Sequence, residues 1–446
     1  MRTLLAASLL VSGIAVAEPD RRVISVGADA IDTLTTFASD HGTPIHLEMA
    51  NDERVVLTID DAQLQALSEE MHERHDRCGG FIVHESLEEA LAPAAPVKRV
   101  EYTIDRPEVV RAVLPHLSDQ RILTTIRELS SMKNRYYRSE SGAAASAWLA
   151  QKWRSFTTRT DVTIELFDQG YPQKSVIMTI PGTTRPDEVI VIGGHLDSIA
   201  PGGNASNAPG ADDDASGIAT LTEVARVLLE SDVRPERTIK FMAYAAEEVG
   251  LRGSQAIVRD FKARKVNVVG ALQLDMTNYQ GSDRDIWIID DYTSKDQNKF
   301  LIDLIETYTD ATWGSDKCGY ACSDHASWHR AGVPASMPFE SRSKEMNKRI
   351  HTKNDTLEQS KDNALHAVKF ARLGAAYAIE LAKGRLVERR AHRQCGTMLW
   401  AEAHREIREM ECRARGGCDD DSTPVWMWFG LALTAAGTLW LSRRAG

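Results

Sequence analysis

The chain has 446 residues, of which 43% are hydrophobic and 26% are charged. This length exceeds one ordinary domain and the composition is normal for a globular protein, so we expect one main domain with appendages. The formal net charge of -11 argues against nucleic acid as a partner, because phosphate neutralisation needs basic patches and none stands out. The sequence contains no phosphate-cradling Gly-rich loop and no internal repeat.

The N-terminus has the pattern of a signal peptide, over residues 1–17. Arg2 precedes an apolar stretch over residues 4–16, and Ala15-Val16-Ala17 fits the small-x-small cleavage rule. A membrane anchor is disfavoured, because the stretch is short and Glu18-Pro19-Asp20 follows it. The sequence therefore predicts export to an oxidising compartment.

Residues 18–98 form a separate small segment of mixed α+β character. Alternating apolar residues over 22–26 predict a strand, and residues 61–74 have the pattern of an amphipathic helix. The Ala/Pro-rich stretch 91–99 predicts an exposed linker, and its basic pair Lys98-Arg99 suits proteolytic removal. The segment is interpreted as a propeptide, with a permanent accessory domain as the alternative.

Four runs in the middle of the chain have the apolar composition of buried strands. They cover residues 189–192, 238–244, 268–274 and 335–339. The first run ends near His195, the second near Glu247 and Glu248, and the third at Asp275. Side chains at the carboxyl ends of strands are what an open α/β sheet offers to a ligand, so we expect these groups to meet.

Asp213 lies in the acidic loop 212–214, which precedes a predicted helix over residues 215–229, and His351 follows the fourth strand. The candidate metal ligands are His195, Asp213, Glu248, Asp275 and His351. Two adjacent dications repel each other, so a bridging carboxylate is needed, and Asp213 is the natural bridge. One imidazole and one carboxylate then remain for each ion. This mixed donor set favours zinc over calcium or magnesium and leaves manganese or cobalt open.

Each residue taken singly has an ordinary structural explanation. The Asp run alone is typical of a solvated turn, and Glu247-Glu248 alone is typical of a helix cap. Asp197 is interpreted as a carboxylate that orients His195 by accepting its other ring proton. The joint pattern, rather than any one residue, predicts a metal site.

These motifs resemble those of the secreted bacterial leucyl aminopeptidases of the co-catalytic di-zinc peptidase family. The likeness runs from about residue 119 to about residue 383 and is densest over residues 209–217, 241–254, 271–279 and 318–329. The resemblance implies a three-layer α/β/α sandwich with a mixed, mostly parallel central sheet, preceded by the small N-terminal α+β pro-segment. It also implies two Zn²⁺ on the five ligands above, with Glu247 as general acid/base and Asp197 as an outer carboxylate.

The resemblance further implies an apolar pocket for the first residue of the substrate. Its predicted lining residues are Met276, Ile289, Tyr320, Met337, Phe339 and Ile350. The resemblance also implies a disulfide between Cys318 and Cys322 beside this pocket. Ser343 and Met346 replace aromatic residues that the family tends to carry, which predicts a wider or less selective pocket. The alternative explanation for Ile289 and Met337 is ordinary core packing.

In the implied mechanism, a water between the zinc ions has a lowered pKa and Glu247 takes its proton. The family implies that the free α-amine of the peptide reaches the second metal, so that one residue is removed from an unblocked N-terminus. The ligands alone are equally compatible with a carboxypeptidase. A single-zinc glutaminyl cyclase and a non-catalytic receptor-like domain on the same scaffold also remain open.

The catalytic domain is predicted over residues 99–384, followed by a charged helical extension over 385–423 and an apolar tail over 424–446. Residues 425–441 are just long enough to span a bilayer, and Arg443-Arg444 closes them. A membrane anchor, a transient sorting tag and a buried helix are the three interpretations, the last being the least favoured. The pairing of Cys78, Cys395, Cys412 and Cys418 cannot be deduced, and a zinc site from the last three has poor spacing. Expected partners are peptides with a free N-terminus, processing proteases and, through the tail, a membrane.

Overall fold

A computed structural model describes residues 20–387, apart from residues 43, 76 and 78. The described residues belong to one compact unit. The predicted signal peptide, the extension beyond residue 387, the tail 424–446 and the cysteines Cys78, Cys395, Cys412 and Cys418 lie outside the described residues. Among residues 20–387, no helix combines the length and the apolar character needed to cross a bilayer.

Residues 20–92, here called the N-terminal module, fold around a small antiparallel sheet. Its elements are β1 (Arg21–Gly27), α1 (Ile31–Asp40), β2 (His46–Ala50), β3 (Arg54–Asp60), α2 (Leu64–His75), β4 (Phe81–His84) and α3 (Leu87–Leu91), with 3-10 turns at Ala28–Ala30 and Asp61–Gln63. The strand order is β2-β3-β1-β4. The sheet and the two longer helices share a core that includes Ile24, Phe37, Leu57 and Met71, because alternate strand residues point to one face.

Residues 93–387, here called the main module, begin with an extended stretch and then contain eight helices and eleven strands among the described residues. The helices are α4 (Pro107–Val113), α5 (Asp119–Ser130), α6 (Glu140–Arg154), α7 (Ala215–Glu230), α8 (Arg252–Ala263), α9 (Lys295–Tyr308), α10 (His325–Arg330) and α11 (Ala367–Ala382). The strands are β5 (Thr163–Phe167), β6 (Ser175–Ile180), β7 (Arg185–His195), β8 (Val233–Arg234), β9 (Arg237–Tyr244), β10 (Asn267–Gln273), β11 (Ile286–Ile289), β12 (Trp313–Asp316), β13 (Ala335–Ser336), β14 (Pro338–Phe339) and β15 (Arg385–Leu386).

The central sheet has six strands in the order β13-β10-β7-β9-β6-β5. The first four are parallel to one another, whereas β6 and β5 are antiparallel to their neighbours. Along β7, Ile190 and Ile192 face a core shared with α5, α7 and α11, while Val189 and Val191 face α8 and α10. The predicted fold class, a three-layer α/β/α sandwich with a mixed, mostly parallel sheet, is confirmed.

Two local predictions were wrong. The single strand predicted over residues 335–339 is split, since β13 extends the central sheet whereas β14 pairs with β11 in a separate sheet of order β12-β11-β14. Pro338 has no backbone N–H to continue a ladder, which suits a break at this position. At the other end of the module, Arg385 and Leu386 pair with Arg234 and Val233 as a strand instead of starting the predicted charged helix.

Candidate metal centre

Three neighbouring parallel strands deliver four of the candidate residues to one edge of the central sheet. His195 ends β7, Glu247 and Glu248 follow β9, and Asp275 follows β10. His195 is in register with Tyr244, the last residue of β9. Because parallel strands end at the same edge, the turns that follow them converge, as the sequence predicts.

The remaining two residues come from loops that reach this edge. Asp213 lies immediately before the N-cap residue of α7, and His351 lies in the loop that follows β14. His351 is 4% exposed, and the other candidate side chains belong to residues that are at most 1% exposed. The site is therefore a buried cluster of acids and imidazoles.

The cluster consists of two groups of potential metal ligands that share Asp213. One group is His195, Asp213 and Asp275, and the other is Asp213, Glu248 and His351. His195 Nε2 lies 2.9 Å from Asp213 Oδ1, and His351 Nε2 lies 3.4 Å from Asp213 Oδ2. His195 Nε2 is 3.5 Å from Asp275 Oδ1, and His351 Nε2 is 2.7 Å from Glu248 Oε2. Each oxygen of Asp213 thus faces a different imidazole.

The donor atoms fit a metal better than they fit one another. His195 Nε2, His351 Nε2 and Asp275 Oδ1 are buried and make no hydrogen bond of acceptable geometry within the described residues. Buried polar atoms are normally satisfied, so three such atoms converging at one place fit the coordination of a metal ion. Imidazole nitrogens and carboxylate oxygens within 4.8 Å of one another are the donor set that zinc takes.

The pKa shifts within the cluster also favour a bound metal ion. Burial raises the pKa of Glu248 to about 7. Burial opposes the charged form of His351, but Glu248 and Asp213 outweigh it and raise the pKa of this imidazole to about 10. The acids thus hold protons on the imidazoles, and a bound dication would neutralise the same excess of negative charge.

Asp197 supports the two glutamates. Its Oδ1 accepts a hydrogen bond from the backbone N–H of Glu247 at 3.0 Å, and its Oδ2 accepts one from that of Glu248 at 3.2 Å. His195 Nδ1 lies 3.2 Å from the backbone oxygen of Asp197 and 3.6 Å from its Oδ1. The ring of His195 is therefore hydrogen-bonded to the main chain of Asp197, while the carboxylate fixes the turn that carries Glu247 and Glu248.

Glu247 lies beside the two ligand groups and belongs to neither of them. Burial raises the pKa of Glu247 well above its ordinary value, and the carboxylates of Asp324, Glu248 and Asp275 add to the rise. A raised pKa suits a group that exchanges protons near neutral pH. Ala246, Met276 and His351, which adjoin or belong to the site, have φ values of 58°, 55° and 54°. Left-handed backbone at non-glycine residues is uncommon and clusters at functional sites.

A further layer of buried polar residues was not recognised from the sequence. Asp355 Oδ2 accepts a hydrogen bond from the backbone N–H of Asp213 at 3.0 Å, and Asn347 Nδ2 donates to Asp355 Oδ1 at 3.1 Å. Arg135, which is fully buried, donates to the backbone oxygens of Leu196 and Gly210 at 2.9 and 2.8 Å. These contacts fix both ends of the segment between His195 and Asp213. No sequence motif marks these residues, since each is far along the chain from the loop it supports.

A cavity of about 350 Å³ opens beside Asp275. Its apolar lining includes four predicted pocket residues, namely Met276, Tyr320, Met337 and Phe339, together with Cys318, Cys322 and Met346. Ile289 and Ile350 are fully buried and pack in the same hydrophobic cluster without lining the cavity. Ser343 lines the cavity as predicted, and Cys318 and Cys322 form a disulfide at its rim.

The N-terminal module also contributes side chains to this region. Asp29, His75 and Arg77 line the cavity, and the guanidinium of Arg77 lies 4.7 Å from the ring centre of Tyr320. The ring centre of His72 lies 4.8 Å from that of His351. The end of α2 therefore covers the buried cluster. The site residues predicted from the sequence include no residue of this helix.

Comparison with known proteins identifies the scaffold. Residues 175–376 match the model of Peptidase family M28. This range contains the five candidate ligands and Glu247. Leucine aminopeptidase 1 of Paracoccidioides brasiliensis is 34% identical over 307 residues, which are 65% of this chain and 78% of that protein. The chain belongs to peptidase family M28. It is a metallo-aminopeptidase, and thus a hydrolase.

Solved structures extend the similarity beyond the region that the family model matches. LapB from Legionella pneumophila is 30% identical with a TM-score of 0.71, over 81% of this chain and 100% of that chain. The LapA aminopeptidase of the same organism is 29% identical with a TM-score of 0.70, over 82% of this chain and 99% of that chain. The predicted likeness to bacterial aminopeptidases is thus supported, but the curated relatives include fungal proteins as well.

Proposed function

We propose that this M28 enzyme is an exported aminopeptidase that holds two Zn²⁺ and removes leucine-like residues from unblocked peptides. The observation that carries this proposal is the position of Asp213, whose two oxygens face different imidazoles and thereby join two ligand groups. In this proposal His195 and Asp275 would hold one ion, His351 and Glu248 would hold the other, and Asp213 would contribute one oxygen to each. Each ion then has one nitrogen and two oxygen ligands from the protein.

Glu247 is proposed to act as the general base and then as the general acid. Zinc, when bound, lowers the pKa of a coordinated water and polarises a carbonyl oxygen. Glu247 takes a proton from the attacking water and later returns it to the departing amine. Asp197 holds the backbone of Glu247 in place through a hydrogen bond of 3.0 Å, so the carboxylate keeps its position beside the ligands. This division of labour explains why two adjacent glutamates are needed.

The proposed substrate preference rests on the cavity beside Asp275. Met276, Met337 and Phe339 supply an apolar wall, which suits a leucine-like side chain. The neighbouring carboxylates favour a free, positively charged or metal-binding amine over a neutral acetyl group. Ser343 at the rim leaves more space than an aromatic residue would, which extends the proposed range to larger apolar residues.

We also propose that the N-terminal module is a propeptide whose removal by a protease activates the enzyme. His72 and Arg77 cover the cluster and the cavity, and residues 91–99, which span the boundary of the two modules, are exposed. Export through the signal peptide, an oxidising destination and membrane contact through residues 424–446 belong to the same proposal. They rest on the sequence alone, because those segments lie outside the described residues.

A peptide panel with metal analysis tests the proposed activity. The trimmed enzyme should cleave a Leu-anilide and a Leu-peptide with a free N-terminus and should leave their N-acetylated forms intact. Two zinc ions per chain are expected. Equal cleavage of blocked and free peptides would indicate an endopeptidase. One zinc per chain with cyclisation of an N-terminal glutaminyl peptide would instead identify a glutaminyl cyclase.

A further inference from the structure

One carboxylate of the N-terminal module neutralises two arginines of the main module. Asp61 Oδ1 accepts a hydrogen bond from Arg252 Nη2 at 2.6 Å, and Asp61 Oδ2 accepts one from Arg138 Nη2. Arg22, of the same module as Asp61, also donates to this carboxylate at 3.0 Å. Among the described residues, Asp61 is the one acid within ion-pair distance of Arg138 or Arg252. Removal of the N-terminal module would therefore leave two neighbouring cations without a counter-ion.

The main module itself holds the two guanidinium groups in place. Arg252 Nε donates to the backbone oxygen of Val249 at 3.1 Å, and its Nη1 donates to Tyr171 Oη at 3.2 Å. The ring centre of Tyr137 lies 5.8 Å from the guanidinium of Arg252 and 5.1 Å from that of Arg138. These contacts lie within the main module, so removal of the N-terminal module should leave them intact. Two arginines held side by side suit a carboxylate ligand, because guanidinium N–H groups match its two oxygens.

Helix α2 extends from this arginine pair to the buried metal-ligand cluster. The 3-10 turn Asp61–Gln63 precedes α2 at the arginine end, and His72, near the other end, has its ring centre 4.8 Å from that of His351. A rise of about 2.0 Å per residue in the turn and about 1.5 Å in the helix places the two ends about 18 Å apart. Loss of the N-terminal module therefore vacates a strip of the main-module surface between the cluster and the pair Arg138 and Arg252.

We propose that Arg138 and Arg252 form a subsite for a carboxylate of the peptide substrate, about five residues beyond the bond that is cleaved. An extended peptide spans about 3.3 Å per residue, so about five residues cover the length that α2 and its preceding turn cover in the uncut chain. There, Asp61 occupies the subsite in place of the substrate. The carboxylate is that of an acidic side chain or of the C-terminus of a short peptide. This inference rests on the proposed removal of the N-terminal module.

Arg259 provides a matched control, because it also loses acidic partners when the N-terminal module leaves. It pairs with Glu85 at 2.7 Å and with Glu89 at 3.6 Å, and it lies on α8, the helix that begins with Arg252. Both of these acids follow β4, whereas Asp61 precedes α2. Arg259→Gln therefore removes a similar charge and leaves the proposed subsite complete.

The test compares peptides that differ by one charge. Trimmed enzyme is prepared by cutting the folded full chain within residues 91–99 and separating the N-terminal module at high salt, for wild type, Arg138→Gln, Arg138→Glu and Arg259→Gln. The substrates are amidated peptides of one leucine followed by alanines, in which each later position carries Glu, Gln or Lys in turn. All-alanine peptides of increasing length with a free C-terminus form a second set. A Leu-anilide, which is too short to reach the arginines, reports the proposed activity separately.

We expect Glu about five residues beyond the cleaved bond to raise kcat/KM on the order of tenfold over Gln, because charge-assisted hydrogen bonds form. The gain should lie mainly in KM, since the subsite is remote from the reacting atoms. Arg138→Gln should abolish most of this ratio, Arg138→Glu should favour Lys at that position, and Arg259→Gln should keep the wild-type ratio. A gain from a free C-terminus at the same distance would show that the subsite accepts both sources of carboxylate.

Three results would overturn the inference. They are a Glu-to-Gln ratio near one at every position, a ratio that survives in Arg138→Gln, and a ratio that Arg259→Gln lowers equally, which would indicate general surface charge. Failure of trimmed wild type to cleave the Leu-anilide would instead contradict the proposed function. The two failures are therefore distinguishable in one set of assays.

Discussion

Two adjacent residues, Glu247 and Glu248, occupy different environments although the sequence gives them the same side chain. Glu248 faces His351 Nε2 at 2.7 Å, whereas Glu247 belongs to neither ligand group. Both backbone N–H groups bond to Asp197, so the turn fixes the two carboxylates in different directions. In the proposed mechanism, the carboxylate of Glu247 is therefore available for proton transfer while that of Glu248 binds metal.

Glu247→Gln should remove turnover and leave the metal content nearly intact. General acid/base groups contribute on the order of 10²–10⁴-fold to rate, and the amide cannot accept the proton. The measurement is kcat on a Leu-anilide together with zinc per chain. His351→Ala is the matched comparison, because it should lose zinc first. Near-normal activity in metal-replete Glu247→Gln would contradict the role assigned to this residue.

At the scale of elements, Asp214 connects the start of α7 to two strands of the central sheet. Its Oδ1 accepts hydrogen bonds from the backbone N–H groups of Gly217 at 2.8 Å and Met276 at 3.1 Å. Its Oδ2 accepts one from the N–H of His195 at 3.0 Å. One buried carboxylate thus caps the helix and joins the loops that carry three of the candidate ligands.

Asp214→Ala should destabilise the protein by about 3–5 kcal/mol. Each buried donor left without a partner costs about 1–3 kcal/mol, and three donors lose theirs, although relaxation recovers part of the cost. The measurement is the free energy of unfolding in urea with zinc in excess. Ser231→Ala, at the other end of the same helix, is the control and should change stability little. A cost below 1 kcal/mol for Asp214→Ala would show that the loop does not depend on this cap.

Local elements were predictable because each has its own signal in the sequence. The strands predicted over 189–192 and 238–244 lie within β7 (Arg185–His195) and β9 (Arg237–Tyr244), and the helix predicted over 215–229 matches α7 (Ala215–Glu230). The supporting contacts were not predictable. Asp355 is 142 residues from Asp213, and no periodicity connects them. Likewise, nothing in the pattern of α2 indicates that His72 meets His351, because that contact depends on how the modules pack.

For the whole molecule, charge is distributed unevenly between the two modules. Residues 20–92 contain sixteen Asp or Glu and five Arg, a net charge of -11 that equals the value for the whole chain. Among the described residues, every ion pair between the modules has its acid on the N-terminal module, namely Asp61 with Arg138 and Arg252, and Glu85 and Glu89 with Arg259. The main module therefore presents three arginines, Arg138, Arg252 and Arg259, to acids of the N-terminal module.

Buried histidines should make the uncut protein less stable in mild acid. Burial lowers the pKa of His84 and His325 to about 3 and that of His366 to about 4, from 6.5. At pH values between the folded pKa of about 3 to 4 and the unfolded pKa of 6.5, the unfolded chain binds more protons than the folded protein. The free energy of unfolding therefore decreases as the pH falls from about 6.5 towards 4. Each such histidine contributes a slope of up to about 1.4 kcal/mol per pH unit.

The prediction is checked by urea unfolding at several pH values between 4 and 7. His366→Gln should reduce the slope of stability against pH, because it removes one of the titrating groups. His46→Gln, at an exposed position, is the control and should leave the slope unchanged. Loss of zinc in acid affects all variants equally and cancels in the comparison. An identical slope in His366→Gln and wild type would contradict the assignment.

Limited proteolysis should raise turnover by cutting within residues 91–99, the linker that the sequence predicts. This stretch is exposed, and only two backbone hydrogen bonds join it to the rest of the main module among the described residues, from Ala95 to Arg330 at 2.9 Å and from Lys98 to Gly332 at 2.8 Å. By contrast, the backbone N–H groups of Asp105 and Arg106 bond to the buried Glu380 at 2.8 and 3.0 Å. The protease should therefore cut before residue 100 more readily than at residues 105–106, where the backbone is held by Glu380. The measurements are turnover and the new N-terminal sequence.

After the cut, release of the N-terminal module should depend on protein concentration, because Asp61 and Arg252 form a buried pair across the interface. Removing one partner of such a pair costs about 3–5 kcal/mol, so Asp61→Asn should dissociate after cleavage at concentrations where wild type stays bound. Glu85→Gln is the matched control. Its ion pair with Arg259 is exposed, with 63% of the Glu85 side chain and 35% of the Arg259 side chain accessible, so it contributes little to the binding free energy. Size-exclusion chromatography and turnover after cleavage give the two readings. If uncut protein already matches the trimmed form in activity, the N-terminal module is an accessory domain and its inhibitory role is wrong.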